Sequence, residues 1–367
     1  MEMAVGDIGK PLTVDVHTHF FPAGLADLAA TTGDARWPSL HVADDGQARI
    51  MRGADVFRPV AQTCWDPVRR VDAMDDAGID VHVLSPVPVM LTTWAETSLA
   101  VDFARRQNEA LAAAAATNQS RYRWLGAVPL QDTDAAIAEL ERGTTELGMS
   151  GVQIGTEVDG RELDDASLRA FFVAADALGV AVFIHPTDGV GAIRRKGPPH
   201  EFGLGMLTDT AMAAGALLFG GVLDECPQLR VGLAHGCGSF PWAFPRLARG
   251  ATMAPGGAGF EARMAHSEEL LKRLWADTLV FDPQHLALLM RRFGPEHLFL
   301  GSDFPFYPPA WGGPTEVIDD AVGHGWCDAA QANDMKGANG LQFLGIDAAT
   351  IASGASGASG VSGVQPR

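Results

Sequence analysis

The residues best equipped for chemistry in this chain are histidines placed at the ends of short apolar runs. His17-Thr18-His19 closes the run 12–16. In a buried strand, positions i and i+2 face the same side, so both imidazoles point one way. Two neutral imidazoles converging on one point can hold a divalent transition metal. His185 follows the run 180–184, His235 follows 229–234, and Asp303 stands in Gly301-Ser302-Asp303-Phe304-Pro305, just beyond 298–300. Taken singly, each has an ordinary explanation as a turn or cap residue. Together they place histidines and a carboxylate at several strand ends, and three imidazoles with one carboxylate suit Zn²⁺ with a position left open. His235 is placed to act as a general acid or base beside that position.

The elements that must carry these residues alternate. Helices expected at 67–77, 98–118, 133–147, 164–178, 207–223, 263–275, 283–293 and 329–344 are punctuated by Gly78, Gly148 and Gly179 or opened by Pro67 and Pro283. Between them lie short apolar runs at 79–84, 124–128, 151–154, 180–184, 229–234, 279–281 and 298–300. With 12–16 these make eight strands in βαβ order, which predicts an α/β fold, a (β/α)8 TIM-type barrel. Strand C-termini line the active site of such a barrel. Residues 23–67, rich in Gly, Pro and Asp with β-like pieces at 47–51 and 56–60, read as a small inserted subdomain or lid after the first strand. The barrel is expected over 11–346, and the Gly/Ser/Ala segment 347–367 as a disordered tail. The fourth run, Gly151-Val152-Gln153-Ile154-Gly155, has no lysine, and the chain's only lysines are Lys10, Lys196, Lys272 and Lys336. That favours one metal over a lysine-bridged pair.

The net charge of −18 speaks against nucleic acid or anionic membrane as partners. An anionic substrate would then need local arginines. Cys64, Cys226, Cys237 and Cys327 show no paired spacing, as expected for reduced thiols in the cytoplasm. Residues 1–10 hold no apolar signal core, and no purely apolar run of a bilayer's length is evident. No dinucleotide or P-loop pattern is present, so no organic cofactor is expected.

His-x-His, His185-Pro186, Ala234-His235-Gly236 and Gly301-Ser302-Asp303-Phe304-Pro305-Phe306 together resemble the amidohydrolase superfamily. Cys64-Trp65-Asp66-Pro67, Leu84-Ser85-Pro86-Val87-Pro88-Val89-Met90 and Gly151-Val152-Gln153-Ile154-Gly155-Thr156 resemble its branch of metal-dependent decarboxylases, typified by aminocarboxymuconate semialdehyde decarboxylases. The resemblance covers roughly residues 12 to 345. It implies that His17, His19, His185 and Asp303 bind one Zn²⁺, with Mn²⁺ as the alternative. It implies that His235 and Asp303 handle the proton, and that Arg58 and Trp65 belong to the substrate pocket. Arg246 would reach the site from a neighbouring subunit, which makes the active form a homodimer. An arginine fork is a suitable carboxylate receptor in an acidic protein.

The chain departs from the branch at three places. Thr187 stands where an aromatic wall is usual, His82 where glutamine is common, and the segment 189–202 with Arg194, Arg195, Lys196 and His200 is unusually basic. The expected activity is metal-dependent, non-oxidative decarboxylation of a carboxylated ring-cleavage product or hydroxylated aromatic acid. The alternatives are a hydrolase or hydratase acting on a diketo or unsaturated acid at the same site, and a protein with a purely structural metal.

Overall fold

A computed structural model describes residues 11–351 apart from 45, 188–190, 192, 255–258 and 308. Of the disordered tail expected over 347–367, residues 347–351 are instead ordered, with Ile351 buried in the same cluster as Val14 and Val16, and the rest lies outside the described residues. Eight parallel strands close a barrel: β1 (Val14–Phe20), β2 (Val81–Pro86), β3 (Tyr122–Gly126), β4 (Gly151–Ile154), β5 (Ala181–Ile184), β6 (Arg230–Leu233), β7 (Leu274–Asp277) and β8, in two pieces at Leu298–Phe299 and Gly301–Phe304. The first piece of β8 pairs with β7 and the second with β1, which seals the ring.

Alternation along each strand sorts side chains between two cores. On β5, Ala181 and Phe183 join a cluster with Val14, Val16, Val81, Val83 and Leu125, and Leu341 and Phe343 of the helix Asn339–Leu344 belong to the same cluster. Val182 and Ile184 instead join the larger cluster that contains the surrounding helices' apolar side chains. The helices begin where the sequence supplies a carboxylate cap: Asp66 accepts from Val68 and Arg69, Asp132 from Ala135, and Asp282 from Gln284.

Most boundaries fall within a few residues of expectation, but the seventh strand does not. The helix expected over 263–275 ends at Leu271, and the strand is Leu274–Asp277, not 279–281. Leu270, Leu271, Leu274 and Trp275 have helical spacing, and periodicity cannot separate a four-residue buried strand from the end of a helix. Pairing decides it: Val231, Gly232 and Leu233 of β6 sit opposite Leu274, Trp275 and Ala276. The insert after β1 is an antiparallel sheet of Pro38–Val42, Ala48–Arg52 and Asp55–Val60, with one more strand than the sequence suggested. One helical stretch, Glu201–Phe219, matches a membrane span by length and mean hydropathy of 1.4. It follows β5, and its Thr210, Ala213, Ala214, Leu217 and Leu218 are buried within the molecule.

Candidate active site

Val14 and Val16 share the inner cluster, so strict alternation would turn His17 and His19 outward. The pairing register of β1 shifts between Asp15 and Thr18 against β2, and between His17 and Thr18 against β8. This irregularity reverses the parity, and both imidazoles turn inward beside Phe183, whose ring centroid is 5.1 Å from that of His17. His17, His19, His185 and Asp303 then converge, each offering a ligand atom within 4.8 Å of the others.

The second nitrogen of each ring settles which one faces inward. Nδ1–H of His17 donates to Asp277 (2.6 Å), that of His19 to the Pro86 carbonyl (3.1 Å), and that of His185 to the Pro186 carbonyl (2.7 Å). All three rings therefore present an Nε2 lone pair to one point. The Nε2 atoms of His17 and His19 are 3.3 Å apart, and Asp303 Oδ1 lies 3.0 Å from the latter. Nε2 of His185 is buried with no hydrogen-bond partner among the described residues. Converging lone pairs, a carboxylate and an unpartnered buried nitrogen fit a divalent metal.

Asp277 is the residue that sequence reasoning missed. Besides His17, its carboxylate accepts the backbone N–H groups of His235 (2.8 Å), Gly236 (2.7 Å) and Leu279 (3.1 Å). It thereby holds His235 in a left-handed conformation, φ 56°, and Asp303 across the site shares that conformation at φ 60°. The available signal was a carboxylate at a strand end, the same signal that exposes Asp303, hidden by the misplacement of the strand. Gly301 lets β8 approach this pair: a Cβ there would stand 2.7 Å from the Cβ atoms of both His17 and Asp277.

His235 completes the cluster, its ring centroid 5.0 Å from that of His185. Its Nδ1 is buried without a partner among the described residues. Burial lowers its pKa to about 4 and drives His185 well below and His19 below the ordinary imidazole value. Burial also opposes charge on His17, but the Asp277 hydrogen bond and nearby carboxylates outweigh it and raise its pKa. Burial alone would raise Asp303; the hydrogen bond to His19 and the surrounding imidazoles bring it below the usual carboxylate value.

The cluster opens into a cavity of about 130 Å³ lined by His19, His185, His235 and Asp303. Arg58, on the insert strand Asp55–Val60, also lines it, with its guanidinium 4.7 Å from the Phe306 ring centre. Trp65 does not line it; it packs against the small core that contains Phe21, Trp37 and Cys64. Arg246 is exposed on the helix Phe240–Ala251, away from this chain's own cavity. Thr187 lines the cavity, and so do Phe202, at the start of the helical stretch Glu201–Phe219, and Trp311, their ring centroids 5.7 Å apart, so aromatic lining is supplied by other residues. His82 lies outside this lining, buried and accepting a hydrogen bond from Arg70. Arg194, Arg195 and Lys196 are exposed, while 189, 190 and 192 of that segment lie outside the described residues.

The chain matches the amidohydrolase family over residues 14–346. It is 35% identical over 338 residues to a 2-amino-3-carboxymuconate-6-semialdehyde decarboxylase of Dictyostelium discoideum, covering 92% of this chain and 93% of the relative. It is 27% identical to a gamma-resorcylate decarboxylase of Rhodococcus jostii, covering 92% and 97%. The same fold occurs in 5-carboxyvanillate decarboxylase from Sphingomonas paucimobilis, with TM-score 0.75, 22% identity and coverage of 92% and 100%. It occurs too in a manganese-bound dihydroxybenzoic acid decarboxylase from Polaromonas, with TM-score 0.68, 21% identity and coverage of 92% and 97%. The chain belongs to the amidohydrolase family, in the branch that holds its metal-dependent decarboxylases.

Proposed function

We propose that this carboxy-lyase is a zinc-dependent, non-oxidative decarboxylase of a carboxylated ring-cleavage product, such as an aminocarboxymuconate semialdehyde, or of a hydroxylated aromatic acid. The observation that carries the reading is one cavity in which three imidazole lone pairs and the Asp303 carboxylate converge beside His235 and Arg58. Held by His17, His19, His185 and Asp303, zinc (or manganese, the ion in the Polaromonas structure) would draw electron density from substrate oxygens.

The chain's own residues account for the other requirements. Arg58, backed by the Phe306 ring, is a fork for the substrate carboxylate. In the reaction the C–C bond to the carboxylate breaks, its electron pair stays on the substrate carbon, CO₂ leaves and a proton takes its place. An enol, amino or phenol group on the substrate spreads the charge of that pair. His235, neutral at physiological pH because burial lowers its pKa to about 4, takes a proton from a water molecule and passes it to the substrate carbon, and the hydroxide left behind is neutralised from solvent. Asp303 stands beside it as the second proton carrier. Phe57, Phe306, Phe202 and Trp311 surround a planar, conjugated body.

The test is CO₂ release by zinc-loaded protein from 2-amino-3-carboxymuconate-6-semialdehyde and from dihydroxybenzoates. Arg58→Ala should retain its metal while KM rises steeply. No CO₂ from any of these, with water addition to or C–C hydrolysis of a related diketo acid instead, would replace the decarboxylase with the hydrolase or hydratase reading.

The homodimer belongs to the same proposal. Arg246 shares its helix with Trp242, which is 82% exposed, and with the exposed Leu247, an unusual apolar display for a free surface. If Arg246 completes the partner's site, mixing the impaired Arg58→Ala and Arg246→Ala chains restores one intact site, with wild-type KM, per mixed dimer. Mixing that restores no activity would exclude a shared site.

A further inference from the structure

Behind the ligand strand lies a buried cation that the proposed chemistry does not use. Arg70, on the helix Pro67–Asp76, is fully buried. Its Nη1 donates to two carbonyls at once, that of His19 (2.8 Å) and that of Thr63 (3.1 Å). Its Nε donates to Nδ1 of His82 (3.0 Å), and its Cζ sits 4.7 Å from the centre of the Phe304 ring. Nη2 has no hydrogen-bond partner among the described residues.

These contacts reach three separate parts of the site. His19 is on β1 and belongs to the metal-binding group. Phe304 follows Asp303, the carboxylate of that group, on β8. Thr63 lies in the turn Gln62–Cys64 that leads the insert back to the barrel, shortly after the strand Asp55–Val60 that carries Arg58. A second tie supports that junction, the Phe21 N–H donating to the Cys64 carbonyl at 2.9 Å.

His82 extends the chain of contacts. Because Arg70 donates to its Nδ1, the ring proton is on Nε2, 3.8 Å from Asp15 Oδ2. Asp15 in turn accepts the backbone N–H (3.1 Å) and the hydroxyl of Ser302, the neighbour of Asp303. The path Arg70–His82–Asp15–Ser302 therefore joins β2, β1 and β8 behind the metal-binding face. Among the described residues no carboxylate touches this guanidinium, and a buried cation so placed is a poor stabilising device. Its planar fork, however, can hold several acceptors in fixed directions, which an ammonium cannot.

We infer that Arg70 is a positioning residue: it sets where Arg58 on the insert stands relative to the metal ligands on β1 and β8, resting on the reading of Arg58 as the carboxylate receptor. It touches neither the cavity nor the substrate and acts through His19, Phe304 and Thr63.

The test uses full-length Arg70→Lys and Arg70→Met, with zinc affinity measured by chelator competition and KM and kcat measured separately. Arg70→Lys keeps a charge but cannot span the three directions. It should lose up to about 10-fold in zinc affinity, the low end of the range for removing a ligand's outer partner, because Arg70 holds the His19 backbone and not its ring. KM should rise by a larger factor than kcat falls. Arg70→Met should show the same pattern more strongly, and if it fails to fold the lysine variant decides alone. Wild-type zinc affinity and KM in Arg70→Lys, whatever its melting temperature, would overturn the inference and leave Arg70 a core filler. Zinc affinity requires no substrate, so failure of wild-type protein to release CO₂ would overturn the proposed reaction and leave this result standing.

Discussion

Replacing Asp277 by asparagine keeps the shape of a fully buried side chain and removes one acceptor oxygen. Oδ2 accepts from His17 Nδ1 and the His235 N–H; Oδ1 accepts from the Gly236 and Leu279 N–H groups. An amide NH₂ in place of Oδ2 faces the His17 Nδ1–H. It forces His17 into the other tautomer, with the proton on Nε2, where no metal can be held. An amide NH₂ in place of Oδ1 faces two backbone donors and loosens the left-handed turn at His235. The first orientation strands one buried donor, the His235 N–H, and costs His17 its metal-binding tautomer; the second strands two, at about 1–3 kcal/mol each, so about 1–6 kcal/mol is divided between folding and the site. The site's share should appear as about 10–100-fold weaker metal binding. Chelator competition with the folded variant, alongside its melting temperature and CO₂ release, reads both shares. Zinc affinity within twofold of wild type, in a variant that still folds, would refute the assignment of Asp277 as the group that fixes the His17 tautomer.

Two further outcomes follow from the same geometry. Gly301→Ala places a methyl group 2.7 Å from both His17 Cβ and Asp277 Cβ. It should cost about 1–3 kcal/mol of stability and weaken metal binding as well, since the two strands must part; an unchanged melting temperature would show that β8 has room to spare. In metal-free protein, His19, His185 and His235 have folded pKa values below the ordinary 6.5. Between the folded and unfolded values the unfolded chain binds more protons, so stability is full above about pH 6.5 and is lost as pH falls towards 4. His82, also driven well below the ordinary value by burial, adds to them, while His17 and Asp15, the latter raised by burial to about 7, contribute in the opposite sense across the same window, four groups against two. Urea midpoints of chelator-treated protein should therefore fall across that window, and a flat profile would contradict the buried neutral histidines.

Much of this site was legible because barrel strands end in short, punctuated runs. His17, His19, His185, His235 and Asp303 stand at those ends, and a barrel brings strand ends to one mouth whatever the intervening helices contain. Asp277 escaped because its strand has four residues whose apolar members continue the spacing of the helix before it; only pairing with β6 separates the two.

The sequence by itself determined the residue types, their order along the chain and the alternation that builds the barrel, because these depend on local propensity and hydrophobic period. Tertiary structure alone decided which way they face and what holds them. Alternation would have pointed His17 and His19 away from the interior, and the register shift against β2 and β8 reversed it. Phe202 and Trp311 line the same cavity as Thr187, and Arg70 meets His19, Thr63, His82 and Phe304, across separations that no local pattern encodes. The physical reason is that register, tautomer and the approach of distant loops are set by partners, and partners exist only once the barrel has closed.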